Sequence, residues 1–143
     1  MRFMGIDYGS KRVGIALSDS EGMLAFPKII FPNDKELMPN ILAMISEEMV
    51  EGIVIGESID HNGEENEIMK KISVFAQSLK EYVGVPVHFE REFMTSVFAR
   101  QTMSDTGNIA RKTKASKQEP VDDSAAAIIL QRFLEKRNKG SLN

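Results

Sequence analysis

The sequence predicts an α/β fold, a mixed five-stranded sheet with helices on both faces, and three observations predict it. Two apolar runs near the N-terminus, Arg2 to Tyr8 and Arg12 to Ser18, are separated only by Gly9-Ser10-Lys11, the spacing of an antiparallel hairpin. Downstream, stretches of helical periodicity alternate with short apolar runs, the pattern of crossover connections in a partly parallel sheet. The run Ile53-Val54-Ile55-Gly56 is apolar at successive positions, as a strand covered on both faces must be.

The elements follow in order. Arg2 to Tyr8 and Arg12 to Ser18 form the hairpin. Met23 to Phe31 is a third strand, and Pro27 inside it calls for an edge position or a bulge. Asn33 or Asp34 caps a helix reaching about Val50, with Leu37, Ile41, Leu42, Met44 and Ile45 on its apolar side and Gly52 as its stop. After the fourth strand and the polar turn Asp60-His61-Asn62-Gly63, a second amphipathic helix runs from about Glu64 to Tyr82, turning Ile68, Ile72, Phe75, Ala76 and Leu79 inward. Val85 to Arg91 is the fifth strand. Thr95 or Ser96 caps a short helix to about Met103, and residues 106–120 read as a loop. The last helix spans Val121 to about Lys136, with Ala125, Ile128, Ile129 and Phe133 inward. Residues 1–138 thus make one domain, and 139–143 a disordered tail.

Composition narrows the chemistry. The 143 residues are 42% hydrophobic and 27% charged, the balance of an ordinary globular domain. There is no cysteine, which removes disulfides, thiolate metal sites and cysteine nucleophiles, and two histidines are few for a zinc site. No run approaches the roughly 20 apolar residues of a membrane span. A cytoplasmic protein with no membrane partner is expected. The net charge of −3 argues against a surface basic all over, though not against a local basic patch.

The chemistry-bearing residues are acidic and basic. Asp7 stands in an apolar strand, where a carboxylate needs a cation or several donors; a turn residue before Gly9 is the plainer alternative. Glu92 follows the fifth strand, where solvated strand ends are common. Asp122 opens the last helix after Pro120, where an acid answering the helix dipole is commonplace. Singly each is weak, but the predicted topology brings all three to sheet and helix ends that converge. Hard divalent cations, Mg²⁺ or Mn²⁺, take such oxygen ligands. Two of them about 3.5–4 Å apart activate water and stabilise the leaving oxygen in phosphodiester cleavage. At the hairpin tip, Ser10, Lys11 and Arg12 are placed to contact a nucleic-acid backbone, and Gly9 and Gly14 leave room for a close approach. Arg111, Lys112, Lys114 and Lys117 precede Asp122 with no acid among them and suit phosphates, although such runs are often only solvated surface. A second cluster, Arg132, Lys136, Arg137 and Lys139, reads as a helix end.

With a central first strand, the element order is the ribonuclease H-like arrangement, and the residues carry a closer likeness. The stretch "MGIDYGSKRVGIALSD" resembles the opening of the YqgF-like family, named for Holliday junction resolution and pre-16S ribosomal RNA cleavage. The ending "VDDSAAAIILQRFL" resembles that family's last helix, and "REFMTSVFA" its central segment around a glutamate and a Thr pair. The likeness runs to about Leu134. It implies a ribonuclease H-like fold, with Asp7, Glu92 and Asp122 as metal-binding catalytic carboxylates. It also implies hydrolysis of phosphodiester bonds in structured nucleic acid, either trimming the 5′ end of a ribosomal RNA precursor or cutting branched DNA. Arg91 and Phe93 stand where the family has aspartate and arginine, and Ser58 replaces a proline. Glu90 is the alternative glutamate in a shifted register, and Glu57 a candidate further carboxylate near Asp7.

Two other functions compete. The pattern D-x-G-x-x-x-x-G also resembles the phosphate loop of sugar kinases and related ATPases, but those hold nucleotide between two such domains. A non-catalytic nucleic-acid-binding module of the same fold would account for Arg91 and Phe93. Junction resolution needs two active sites and therefore a dimer, whereas the sequence reveals no dimer surface, and a monomer or a weak homodimer is expected.

Overall fold

The computed structural model describes residues 1–58, 67–92 and 124–142. Five strands form one sheet in the order β3-β2-β1-β4-β5: β1 (Phe3–Tyr8), β2 (Arg12–Ser18), β3 (Ala25–Pro32), β4 (Gly52–Ser58) and β5 (Val87–Glu92). The β1–β2 and β2–β3 pairs are antiparallel; β1–β4 and β4–β5 are parallel. Helices α1 (Leu37–Glu47) and α2 (Glu67–Tyr82) share one face with Met4, Ile6, Ile53 and Ile55. Helix α3 (Ala125–Leu142) covers the other, over Phe3, Ala16 and Val54.

Pro27 meets both of its expectations. It lies on edge strand β3, and since Ile15 pairs with Ile29 but Ala16 with Pro27, Lys28 is the extra residue of a bulge. The turn before β3 is held by Asp19, whose Oδ1 accepts N–H bonds from Met23 at 2.7 Å and Leu24 at 3.1 Å. Those donors, Leu24 foremost, favour the ionised form and hold the Asp19 carboxyl below its ordinary range.

Helix α1 departs from expectation at both ends. It starts at Leu37, later than a cap at Asn33 or Asp34 allows, because Asp34 Oδ1 instead accepts the Glu36 N–H in a local turn. It ends before Gly52. Met49, at φ 56°, takes the left-handed position, the Val50 N–H donates to Ile45 O, and the Met49 N–H donates to Ser46 O. That is a Schellman ending with methionine where glycine is usual. Gly52 serves packing instead, since a β-carbon there would lie 2.6 Å from the Phe3 ring.

Helix α2 buries Ile72, Phe75, Ala76 and Leu79 as its periodicity predicts, but in its first turn Met69 is buried and the expected Ile68 only partly so. In α3 the buried residues are Ala126, Ile129, Leu130 and Leu134, while Ala125 is partly exposed and Ile128 exposed. The inner stripe is thus rotated from the expected one, with Phe133 on its flank against Phe3 and His88. The helix also runs past residue 138 to Leu142, where the sequence suggests a tail. Just before that extension Asn138 donates to Gly22 O at 3.1 Å, and Arg137 stacks 5.0 Å from the centre of the Phe3 ring.

Candidate nucleic-acid interface

Strand alternation decides which acids can meet. Gly5 faces α3, for a β-carbon there would lie 2.8 Å from Leu130 Cβ and 2.9 Å from Ala126 O. Asp7, two residues on, shares that face beyond the body of the helix. Its partner across the hairpin is Gly14, where a β-carbon would sit 3.9 Å from Asp7 Cβ and 3.8 Å from Ala126 Cβ. Asp7 therefore stands beside the first turn of α3. That turn is capped by Ser124, whose Oγ accepts the Ala127 N–H at 3.1 Å.

A cleft of about 660 Å³ opens here. Its walls bring together Asp7, the hairpin tip Gly9 to Arg12, Gly14, the start of α3, and Pro27, Lys28 and Ile30 of the edge strand. The sequence singles out Ser10, Lys11 and Arg12, and all three line the cleft. Among the described residues neither Lys11 nor Arg12 makes an ion pair. The tip is fixed by Asn33, which donates from Nδ2 to Gly9 O at 2.8 Å and from its backbone N–H to Lys11 O at 2.9 Å. The Gly9 N–H in turn donates to Arg12 O at 3.0 Å. Asn33, expected to cap a helix, is instead the clasp of the basic tip. Pro27, Lys28, Ile30 and Asn33 carry no sequence signal for a site, since only strand pairing brings them here.

The other acids divide by face. Ile6, Ile55 and Phe89 lie in one row across β1, β4 and β5. Beyond that row are the carboxyl ends of three parallel strands, where open α/β sheets bind their ligands. Glu57 points away from Asp7's face, paired with Arg91 at 3.5 Å, so it is no further carboxylate for this cleft. The reason is the two-residue period: Val54 and Gly56 face α3, and Glu57 does not. Glu90 is on the α3 face but only 4% exposed, with Lys136 Nζ at 2.8 Å and Arg132 Nε at 3.9 Å from Oε2. The lysine contact is a close ion pair that lacks the alignment of a hydrogen bond. Glu90 thus ties β5 to α3, and two members of the expected helix-end cluster are its partners. Glu92 is the last residue of β5, in register with Ser58, rather than a residue just beyond the strand. Position 92 falls on the same face as position 90.

Asp122, Arg111, Lys112, Lys114 and Lys117 lie outside the described residues, as do Phe93, the Thr95–Ser96 pair and the loop 106–120. Asp7 is the one carboxylate among the described residues that line the cleft. Among the described residues no three histidines, cysteines or acids come close enough together to hold a metal ion. The donor chemistry nonetheless fits a hard cation: a carboxylate at the mouth of an open cleft, with no sulfur or imidazole among the described residues that line it. No helix among the described residues is long and apolar enough to cross a membrane.

The sequence pattern of the family described as "RuvX: Holliday junction resolvase" matches residues 1–136. The chain belongs to this family. A relative from Nitratidesulfovibrio vulgaris, named "Putative pre-16S rRNA nuclease", is 35% identical over 136 residues, which cover 94% of this chain and 93% of the relative. One of the same name from Bacteroides fragilis is 40% identical over 135 residues, covering 94% and 96%. In three dimensions the chain is similar to T. thermophilus RuvC in complex with a Holliday junction, with a TM-score of 0.60 and 16% identity over 96% of this chain and 95% of that one. It is also similar to the Fowlpox virus resolvase bound to junction DNA, with a TM-score of 0.56 and 14% identity over 95% and 98%. This family member therefore has the ribonuclease H-like fold that its element order predicts.

Proposed function

We propose that this protein is a divalent-metal-dependent endonuclease that hydrolyses phosphodiester bonds in structured nucleic acid, and that it processes the 5′ end of pre-16S ribosomal RNA in the cytoplasm. The observation that carries the reading is the place of Asp7: the carboxyl end of the central strand, inside a cleft rimmed by Lys11 and Arg12. The names of the relatives favour the ribosomal RNA precursor.

Asp7, Glu92 and Asp122 would hold Mg²⁺ or Mn²⁺. The ion pairs that engage Glu90 favour Glu92 as the glutamate of the set. Bound divalent ions, two with substrate in place, supply a polarised water and a counter-charge for the leaving oxygen. Ser10, Lys11 and Arg12 bind the phosphates that flank the scissile bond, each cation making affinity fall with added salt. Arg111, Lys112, Lys114 and Lys117, just before Asp122 in the chain, extend that grip along the strand. The protein acts as a monomer or a weak homodimer.

Junction resolution is the second reading, favoured by the description of the family. It needs two active sites. The two readings separate when a labelled ribosomal RNA precursor and a four-way DNA junction are offered in Mg²⁺ or Mn²⁺. Cleavage of the precursor alone is expected, removed by EDTA and lowered at least about 100-fold, or about 2.7 kcal/mol, in Asp7→Asn. Symmetric nicking of the junction would install the second reading. A folded protein that binds both but cuts neither would make it a binding module, and Asp7→Asn cutting as well as the parent would remove the mechanism.

A further inference from the structure

On the open side of Asp7 the cleft changes character. Asp7 pairs with Gly14, and Gly14 pairs with Ile30, so the three share one row across β1, β2 and β3. Gly14 puts no side chain between the carboxylate and Ile30, which is 60% exposed. In the next row on the same face, Ala16 is opposite Pro27, a second apolar surface lining the cleft. The edge strand thus carries an apolar shelf level with the carboxylate, bordered by Lys11 and Arg12.

Gly14 sharpens the point. Gly5 must be glycine because α3 presses on it, but a β-carbon at Gly14 would meet nothing closer than 3.8 Å, and its φ is not in the left-handed region. Neither packing nor backbone requires glycine there. What its missing side chain does is keep the path from Asp7 to Ile30 flat.

We propose that this shelf receives the base of an unpaired nucleotide next to the phosphate at Asp7, with Lys11 and Arg12 holding the phosphates on either side. The proposal rests on the nuclease reading and adds to it the kind of strand the cleft accepts. Charge complementarity favours this occupant: the shelf is apolar like the face of a base, and its border is cationic like the partner a phosphate chain needs. A base reaches the shelf only when it has left its stack, so strands already unpaired avoid that cost. A second copy of the chain fits less well. Pro27 and Pro32 lack N–H donors and the bulge at Lys28 interrupts the edge, so β3 is a poor template for strand pairing between copies.

The test is equilibrium binding in EDTA, which separates binding from cleavage, followed by fluorescence anisotropy. The probes are a single-stranded RNA of about 12 nucleotides, a length matched to one nucleic-acid-binding groove, and the same labelled strand annealed to its complement. The intact protein should bind the single strand several-fold more tightly than the duplex. Ile30→Ser should weaken single-strand binding roughly fivefold to tenfold and narrow the gap between probes, while Ile30→Leu keeps it. Ile30 is on an exposed edge, and thermal melting checks that both variants fold. Equal binding of the two probes, or an equal loss on both in Ile30→Ser, overturns the shelf and leaves the nuclease reading standing. Failure of the intact protein to bind either probe overturns the shelf, while the nuclease reading stands or falls on cleavage of the precursor in Mg²⁺ or Mn²⁺. If sedimentation shows a dimer that Ile30→Ser converts to monomer, the shelf is an interface between copies and the proposal is wrong.

Discussion

Gly5 and Gly14 lie on the same face of the sheet, on neighbouring strands, beside the same helix. At Gly5 the helix is so close that an added β-carbon would sit 2.8 Å from Leu130 Cβ; at Gly14 the first neighbour is 3.8 Å away. Over the body of the helix the sheet and α3 close on each other, sealed by Ile129, Leu130 and Leu134. At its first turn they part, and Asp7 is left beside an open cleft. The same contrast holds for the acids. Glu90, under the closed part, is buried and tied to Lys136, whereas Asp7, at the open end, has a cleft before it that a substrate can enter. Being acidic and on the right face does not make a site; the helix must also leave room.

The contrast can be broken at its closed end. Gly5→Ala forces Leu130 and the Ala126 carbonyl apart and should cost about 2 kcal/mol. Gly14→Ala should stay within about 0.5 kcal/mol of the parent. Paired denaturant titrations check both, and equal losses would mean that α3 is no closer to one glycine than to the other.

Glu90→Gln sharpens the division between the acids. It leaves Lys136 and Arg132 free to turn to water, since both are partly exposed, and should cost about 1 kcal/mol. Nuclease turnover per folded molecule should stay near that of the parent. A loss of activity comparable to that of Asp7→Asn would make Glu90 a member of the site.

The smallest effect reverses sign. Met49 occupies a backbone position that suits glycine, and the residue is 77% exposed. Met49→Gly should raise stability by about 0.5–1 kcal/mol, read as a higher melting temperature. A fall would show that its side chain packs better than its exposure implies.

Much of this is legible in the residues. The hairpin is plain because Gly9-Ser10-Lys11 is too short for any connection but a tight antiparallel one. The parallel strands are plain because only strands covered on both faces read like Ile53-Val54-Ile55. Asp7 stands out because a carboxylate in such a strand demands a partner. The start of α1 is not legible: Asp34 can cap a helix or close a local turn, and nothing in the sequence chooses between them. Nor is the end of α1, because Met49 adopts a conformation that its residue type disfavours.

The sequence by itself determined the order and type of the elements, the central place of Asp7 and the basic hairpin tip, because these depend on local periodicity and short connections. Only the tertiary structure decided which acids share a face, that Glu57 turns away and that Glu90 is tied to α3. It alone set Asp7, Gly14 and Ile30 in one row. Those facts depend on register and on where one helix lifts from the sheet. A shift of one residue would exchange every face, and no single stretch of sequence records it.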